Sequence, residues 1–307
     1  MKAIQITEYG PPGVLRVAEI PDPHAGPGEI RIAVRASGLS AGDVRIRSGE
    51  LRDVLPDVLP YLTGFDAAGV VDEVGEGVTG VRVGDEVFGG TSSAARGANS
   101  DYAVLSVWAA KPAAWSWEEA GGAAGSVETA TRVFDRLAIG VGHTVLVHGA
   151  AGGVGTVAVQ LAIARGAKVI GTAREHNHDL LRSLGAEPTT YGPGPAGRIP
   201  STVDAVLDCA GGALPELVAI AGDPARVVTI VDFTANAHGV HFSHTAPIDG
   251  ADTPAPHGLA IAAALADEGR LRIPVAASFP LTEAAAAHEL SENRRTGGKI
   301  VLVNQSS

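Results

Sequence analysis

Thr144-Val145-Leu146-Val147-His148-Gly149-Ala150-Ala151-Gly152-Gly153-Val154-Gly155 is the stretch on which the fold of this chain turns. β-Branched and apolar residues run straight into a glycine-rich turn, and Val157-Ala158-Val159-Gln160-Leu161-Ala162 follows at once. That is strand, tight turn, helix. A helix from about Val154 to Arg165 and a second strand, Lys168 to Thr172, complete a βαβ unit. The spacing of a dinucleotide-binding turn falls on Ala150, Gly152 and Gly155, with Ala in the first glycine position. Gly152 would let the backbone approach a diphosphate, and Gly155 would let helix and strand pack closely. Gly153 and Val154 open the helix, whose first amides and positive dipole end suit an anion. A tight helix entry with no ligand is the alternative for a glycine-rich turn alone; the flanking strands and helix favour the ligand.

A turn built for NAD carries an acidic residue at the end of the second strand, where it grips the ribose 2′-hydroxyl. Here that strand ends Thr172-Ala173-Arg174. A guanidinium suits a 2′-phosphate, so the sequence predicts NADPH as cofactor, with Thr172 and Arg174 at the ribose; a solvated surface role for Arg174 is the alternative.

Outward from this unit, strands are expected at Ala205 to Leu207 and Arg226 to Val231, an alternation that implies a doubly wound parallel sheet. An Ala-rich helix is expected from Trp117 to Leu137, a helix at about Gly258 to Glu268, a strand near Val275 to Phe279, a helix Thr282 to Arg295 and a last strand Lys299 to Val303. Between Phe233 and His257 only a short strand, Val240 to Ser243, is legible. Before Pro112 the texture is different. The opening residues Met1 to Ile6, Ile30 to Ala36, Ala68 to Val74 and Tyr102 to Leu105 read as strands punctuated by Gly and Pro, which suggests an irregular barrel.

At 307 residues the chain exceeds what one core usually organises, so two domains are expected. The start has neither a basic leader nor an apolar export segment, and the single cysteine, Cys209, can form no internal disulfide. A soluble, cytoplasmic protein is expected, with no membrane contact. The formal net charge of −11, with 23 basic residues in no long run, makes nucleic acid an unfavourable partner.

Gly64-Phe65-Asp66-Ala67-Ala68-Gly69-Val70-Val71-Asp72-Glu73-Val74-Gly75-Glu76-Gly77-Val78, then Val83-Gly84-Asp85-Glu86-Val87, the turn at Val145 to Gly155 and the closing Gly298-Lys299-Ile300-Val301-Leu302 stand in one order. In that order and spacing the chain resembles the zinc-independent, quinone oxidoreductase-like branch of the medium-chain dehydrogenase/reductase superfamily over essentially its whole length. The resemblance implies an α/β protein with a GroES-like irregular β-barrel catalytic domain, residues 1–113 and 273–307, and a Rossmann doubly wound parallel sheet, residues 114–272. It implies an active cleft between the domains, an NADPH-dependent reductase of a quinone or other α,β-unsaturated carbonyl, and a homodimer joined at a Rossmann sheet edge. Two alternatives stay open: an enoyl or enone reductase of a biosynthetic pathway, and an NADPH-binding sensor or structural oligomer with little catalysis.

Zinc-dependent relatives place a Cys ligand within the segment that here reads Ser37 to Asp43, and a His-Glu pair where this chain has Phe65-Asp66. Neither Ser40 nor Phe65 replaces those ligands, so no metal is expected. By resemblance Ser40 and Asp43 line the active site, Thr129 lies near the nicotinamide, and Tyr191 contacts the 2′-phosphate. Relatives often carry Asn at the position of Ser40, and a proton-donating Tyr at that of Leu51. Leu cannot donate, which leaves Tyr61, Asp43 or water as the proton source; for Tyr61 the alternative is a half-buried structural aromatic beside Pro60, and for Asp43 an orienter of loop backbone. Lys299 reads as a solvated residue at a strand start, and Cys209 as a small buried hydrophobe rather than a nucleophile. His238, His241 and His244 recur every third residue, which in a strand alternates faces and disfavours a shared metal.

Overall fold

The computed structural model describes residues 1–55, 59–91, 97–192, 199, 203–246, 248–293 and 297–304. It divides into two compact units, one of residues 1–125, 246–249 and 256–307 and one of residues 126–245 and 250–255. This contact-defined division differs from the expected domain boundaries at residues 114–125 and at most of 246–272, which cluster with the first unit.

The first unit opens with β1 (Lys2–Ile6), β2 (Arg16–Glu19), β3 (Ile30–Leu39), α1 (Ala41–Ser48), β4 (Tyr61–Leu62), β5 (Asp66–Val74), β6 (Glu86–Gly90), β7 (Tyr102–Leu105), β8 (Val107–Ala110) and α2 (Trp117–Gly121). The strands form a small sheet in the order β2-β1-β4 and the larger part of a second, β3-β5-β6-β8, with β7 also paired to β3. The period-two alternation of Ile30, Ile32 and Val34 buries one face, against Ala67, Val71, Val87 and Leu105. Register shifts at Arg31/Ile32 and Val34/Ala36 interrupt the β3–β5 ladder, the bulges expected of an irregular barrel.

The expected helix Trp117 to Leu137 is two helices, α2 and α3 (Ala124–Arg136), separated at Gly122 and Ala123. The glycines explain the break. A Cβ built on Gly121 would lie 2.7 Å from the backbone of Ala36, so α2 sits against β3 closer than a side chain permits.

The second unit carries most of α3 and then β9 (Thr144–His148), α4 (Gly153–Ala164), β10 (Lys168–Thr172), α5 (His178–Ser183), β11 (Glu187–Thr189), β12 (Ala205–Asp208), α6 (Leu214–Ala221), β13 (Val227–Thr229) and β14 (His241–Phe242). Its sheet runs β11-β10-β9-β12-β13-β14, parallel throughout, so the strand order reverses between β9 and β12. At such a switch point the loops from the strand ends part and leave a crevice. The near-continuous burial of β9 and β12 reflects helices on both faces. β13 and β14 are shorter than the expected Arg226 to Val231 and Val240 to Ser243. β13 ends at Thr229 because the next amides leave the ladder: Val231 and Asp232 N–H donate to the Thr229 hydroxyl instead.

The chain closes in the first unit with α7 (His257–Asp267), β15 (Val275–Pro280), α8 (Ala284–Glu292) and β16 (Lys299–Val303). β16 pairs antiparallel with β3 and parallel with β15, so the last strands extend the sheet begun by the first. The expected helix end at Arg295 lies outside the described residues.

Candidate active site

In the second unit the turn after β9 is held by its own backbone. Gly149 has φ +83°, its N–H donates to the Thr172 hydroxyl at 3.0 Å, and Ala150 N–H donates to the Thr172 carbonyl at 3.0 Å. Both Thr172 and Ala150 are therefore structural clamps of the turn. A Cβ on Gly155 would meet the Gly149 carbonyl oxygen at 2.4 Å, so glycine there is demanded by helix–strand packing. Gly152 is different. Its φ is −77°, and a Cβ on it would meet nothing nearer than 3.4 Å. Nothing nearer than 3.4 Å in the chain itself requires glycine at 152.

Gly152 is also the N-cap of α4 and provides no side-chain cap, whereas α1 and α2 are closed by capping boxes, Ser40 with Asp43 and Ser116 with Glu119. α5, α6, α7 and α8 likewise start without a side-chain cap, so what sets α4 apart is the glycine-rich turn that leads into it.

Beside this turn, at the carboxyl ends of β9, β10 and β12, lies a cavity of about 320 Å³. Of the expected cofactor residues, Thr172 and Tyr191 line it, together with His148, Gly211, Gly212 and Glu216. The Tyr191 ring stands edge-on to the His148 imidazole with centroids 5.2 Å apart. Burial pushes the Tyr191 phenol up, an effect the nearby Arg174 opposes, so cation and phenol share one neighbourhood at the end of β10. Arg174 itself is exposed, at the start of a short 3-10 turn. Thr129, on α3, is half-buried with its hydroxyl donating to Glu128 at 3.4 Å, and it does not line the cavity.

Sequence reasoning missed His148, Asp208 and Glu216. Asp208 shapes the far wall: its carboxylate accepts from Ala210 and Gly211 N–H and from the Thr229 hydroxyl at 2.8–3.0 Å. The signal available was an acid at a strand end before two glycines. Glu216 had none, because α6 was not legible.

In the first unit, Ser40 caps α1 and its hydroxyl donates to Asp43 Oδ2 at 2.6 Å. Asp43 is fully buried, also accepting the Ser40 N–H at 3.0 Å and the Gly64 N–H at 3.1 Å. Its geometry is that of an orienter holding α1 and the Gly64 turn. Tyr61 is only 6% exposed, packed with Ile4, Ile6, Leu39 and Ile46, with Leu51 against the same cluster. The expected half-buried tyrosine is thus a core residue, because β4 pairs with β1 and turns its first side chain inward.

Lys299 is the clearest correction. It is buried, not solvated, with Nζ 3.4 Å from Asp66 Oδ2, while Gly125 N–H donates to Asp66 Oδ1 at 2.8 Å. Burial pushes the Asp66 carboxyl up, and Lys299 opposes that. The carboxylate that the resemblance sets against a metal-ligand position is thereby committed to an internal ion pair. Among the described residues no group of three or more His, Cys, Asp or Glu could hold a metal ion. His241 Nε2 meets Asp252 at 2.9 Å, and burial pushes the Cys209 thiol well up. No described helix is long and apolar enough to cross a membrane.

One unit with a six-stranded parallel sheet and a glycine-rich strand–turn–helix, and another with a mixed sheet completed by the last strand, define a two-unit α/β protein of the nucleotide-binding class. Residues 26–136 match the alcohol dehydrogenase GroES-like domain, and residues 184–302 match the zinc-binding dehydrogenase model. The quinone oxidoreductase of Homo sapiens is 36% identical over 191 residues, 61% of this chain and 57% of that protein. The pikromycin polyketide synthase component PikAII of Streptomyces venezuelae is 42% identical over 173 residues, 54% of this chain and 4% of that protein. These matches span little more than half of the oxidoreductase and a small part of the synthase. Among solved structures, the quinone oxidoreductase from Coxiella burnetii has a TM-score of 0.85 at 29% identity, over 99% of both chains. An NAD-dependent alcohol dehydrogenase has 0.82 at 30%, over 99% of this chain and 100% of that one. The Escherichia coli quinone oxidoreductase complexed with NADPH has 0.79 at 26%, over 99% and 100%. The chain belongs to the medium-chain dehydrogenase/reductase superfamily, in its quinone oxidoreductase-like branch.

Proposed function

We propose that this chain is an NADPH-dependent, zinc-independent reductase of a quinone or other α,β-unsaturated carbonyl. The observation that carries the reading is the space at Gly152: a glycine the fold does not need, at an uncapped helix start, where a dinucleotide diphosphate would lie. Arg174 and Tyr191 supply a cation and a phenol for a 2′-phosphate, and the NADPH complex of the Escherichia coli relative supports that choice. The Asp66–Lys299 pair supports the absence of zinc, since it occupies the carboxylate a metal would need.

Bound NADPH supplies a hydride, and the acceptor takes up one proton with it. The chain's part is to bind, orient and exclude water. The packing of Tyr61 and Leu51 and the commitment of Asp43 to the Ser40 hydroxyl, the Ser40 N–H and the Gly64 N–H support delivery of that proton from water rather than from a buried side chain. Asp43 then acts by fixing Ser40, which is half-buried at the mouth of α1.

The likeness to a polyketide synthase component favours a second reading, an enoyl or enone reductase with a specific biosynthetic substrate. One assay separates the two: NADPH oxidation followed by absorbance with a naphthoquinone, an alkenal and a cyclic enone. Turnover with quinones supports the first reading and turnover with enones alone supports the second. Binding without turnover would remove both.

A reducing cytoplasm fits the single cysteine, Cys209. The short edge strand β14 is the proposed site of homodimer contact, and a monomer by light scattering would exclude it.

A further inference from the structure

The cavity on the second unit carries polar chemistry that holding a diphosphate does not require. At about 320 Å³ it falls at the small end of the range for small-molecule sites, about 300–1,000 Å³. Leu146, Leu217 and Ile220 line it with aliphatic surface, and the polar atoms come from His148, Thr172, Tyr191 and Glu216. An apolar slot with a few polar groups suits a flat heteroaromatic ring, its faces on the aliphatic walls and its edge toward those groups.

The polar groups differ in freedom. His148 is fixed: its Nδ1 is 2.9 Å from the Thr172 hydroxyl, whose oxygen also accepts the Gly149 N–H, and Tyr191 closes on the imidazole edge. Burial holds its basicity down, so the ring is neutral at neutral pH. Glu216 stands in the first turn of α6, exposed to solvent, close enough to His148 for its charge to be felt there. An ionised carboxylate only accepts hydrogen bonds. It therefore discriminates between rings by what they present on one edge.

We propose that Glu216 reads the base of the dinucleotide, selecting a ring that offers an amino N–H, as adenine does, over one that offers a carbonyl oxygen, as hypoxanthine does. This rests on the dinucleotide reading above and deepens it, because it assigns the base end of the cofactor to this cavity. Carboxylate facing amino group is a charge-assisted hydrogen bond. Hypoxanthine's N1–H donor is one atom further along the ring, so a carboxylate set on the C6 substituent faces the carbonyl oxygen with no proton between two acceptors, and repulsion contributes to the preference as much as attraction does.

Calorimetric titration of the full chain with NADPH and with its hypoxanthine counterpart tests this, in the native protein and in Glu216→Gln and Glu216→Ala. The native protein should bind NADPH about tenfold tighter than the counterpart, the scale of one charge-assisted hydrogen bond. Gln can donate as well as accept, so Glu216→Gln should bring the two affinities to within about twofold by improving the counterpart. Glu216→Ala should bring them together by weakening NADPH and improving the counterpart by similar factors. A native ratio already within about twofold, or one that Glu216→Gln leaves unchanged, overturns the proposal and leaves dinucleotide binding standing. Heat from neither compound in the native protein overturns dinucleotide binding and this proposal together. Because both variants should bind the counterpart more tightly than the native protein does, misfolding of a variant cannot imitate the expected result.

Discussion

Gly152 and Gly155 are three residues apart in one turn and answer to different demands. Gly155→Ala drives a Cβ to 2.4 Å from a carbonyl oxygen, and the expected cost is about 1–3 kcal/mol in urea unfolding. Gly152→Ala meets nothing closer than 3.4 Å, so its melting temperature should stay within about 2 °C while the NADPH dissociation constant rises by about tenfold or more. Unchanged affinity in Gly152→Ala would mean that no diphosphate lies there. Arg174→Ala should weaken NADPH by about tenfold and leave NADH unchanged, as loss of one guanidinium–phosphate contact does; equal effects on both cofactors would remove Arg174 from the 2′-phosphate. Tyr61→Phe should retain turnover within about twofold, since its ring belongs to the core cluster; a loss of a hundredfold would restore it as a proton donor.

Helices α1 and α8 meet around a buried titratable group. His288 is fully buried, and among the described residues neither ring nitrogen has a hydrogen-bond partner. Asp43 and Glu292 favour its charged form and Arg47 disfavours it, but burial outweighs them and lowers the imidazole from 6.5 to about 4. The folded pKa lies below the unfolded one, so the stability His288 allows is present above pH 6.5 and is lost as pH falls toward 4. That difference corresponds to about 3 kcal/mol at most. Urea unfolding at pH 7.5 and pH 4.5 should show a smaller acid loss in His288→Leu than in the native chain; an equal loss would clear His288. The same scale shows where reading failed. β9, β10, β7 and β16 match their expected bounds because continuous or alternating apolar runs end at unmistakable turns. α1, α5 and α6 went unseen because they are only six to eight residues long: α1 is closed by its Ser40–Asp43 capping box, while α5 and α6 have no side-chain cap and depend on packing against their neighbours.

Over the whole chain, the segment from Phe233 to His257 is the part with least pattern and one of the better anchored. Arg132 on α3 meets Glu128 at 2.8 Å and Asp252 at 3.3 Å, and Ala255 N–H donates to Glu128 at 3.1 Å. Burial opposes ionisation of Asp252, but the Ser243 hydroxyl, His241 and Arg132 together hold its carboxyl below the usual range. Asp252→Ala leaves Arg132 buried with less compensation and should cost about 3 kcal/mol in urea unfolding. A cost under about 1 kcal/mol would show the network to be incidental.

The sequence by itself determined the parallel sheet, the glycine-rich strand–turn–helix and the family, since each is written in short-range pattern: strand, glycine spacing, apolar helix. Only the tertiary structure decided that Tyr61 belongs to the core, that Lys299 is spent on Asp66, that Asp252 anchors a patternless segment and that Glu216 stands over the cavity. Those assignments depend on which distant residues share a few ångströms of low-dielectric space, and no local spacing encodes that.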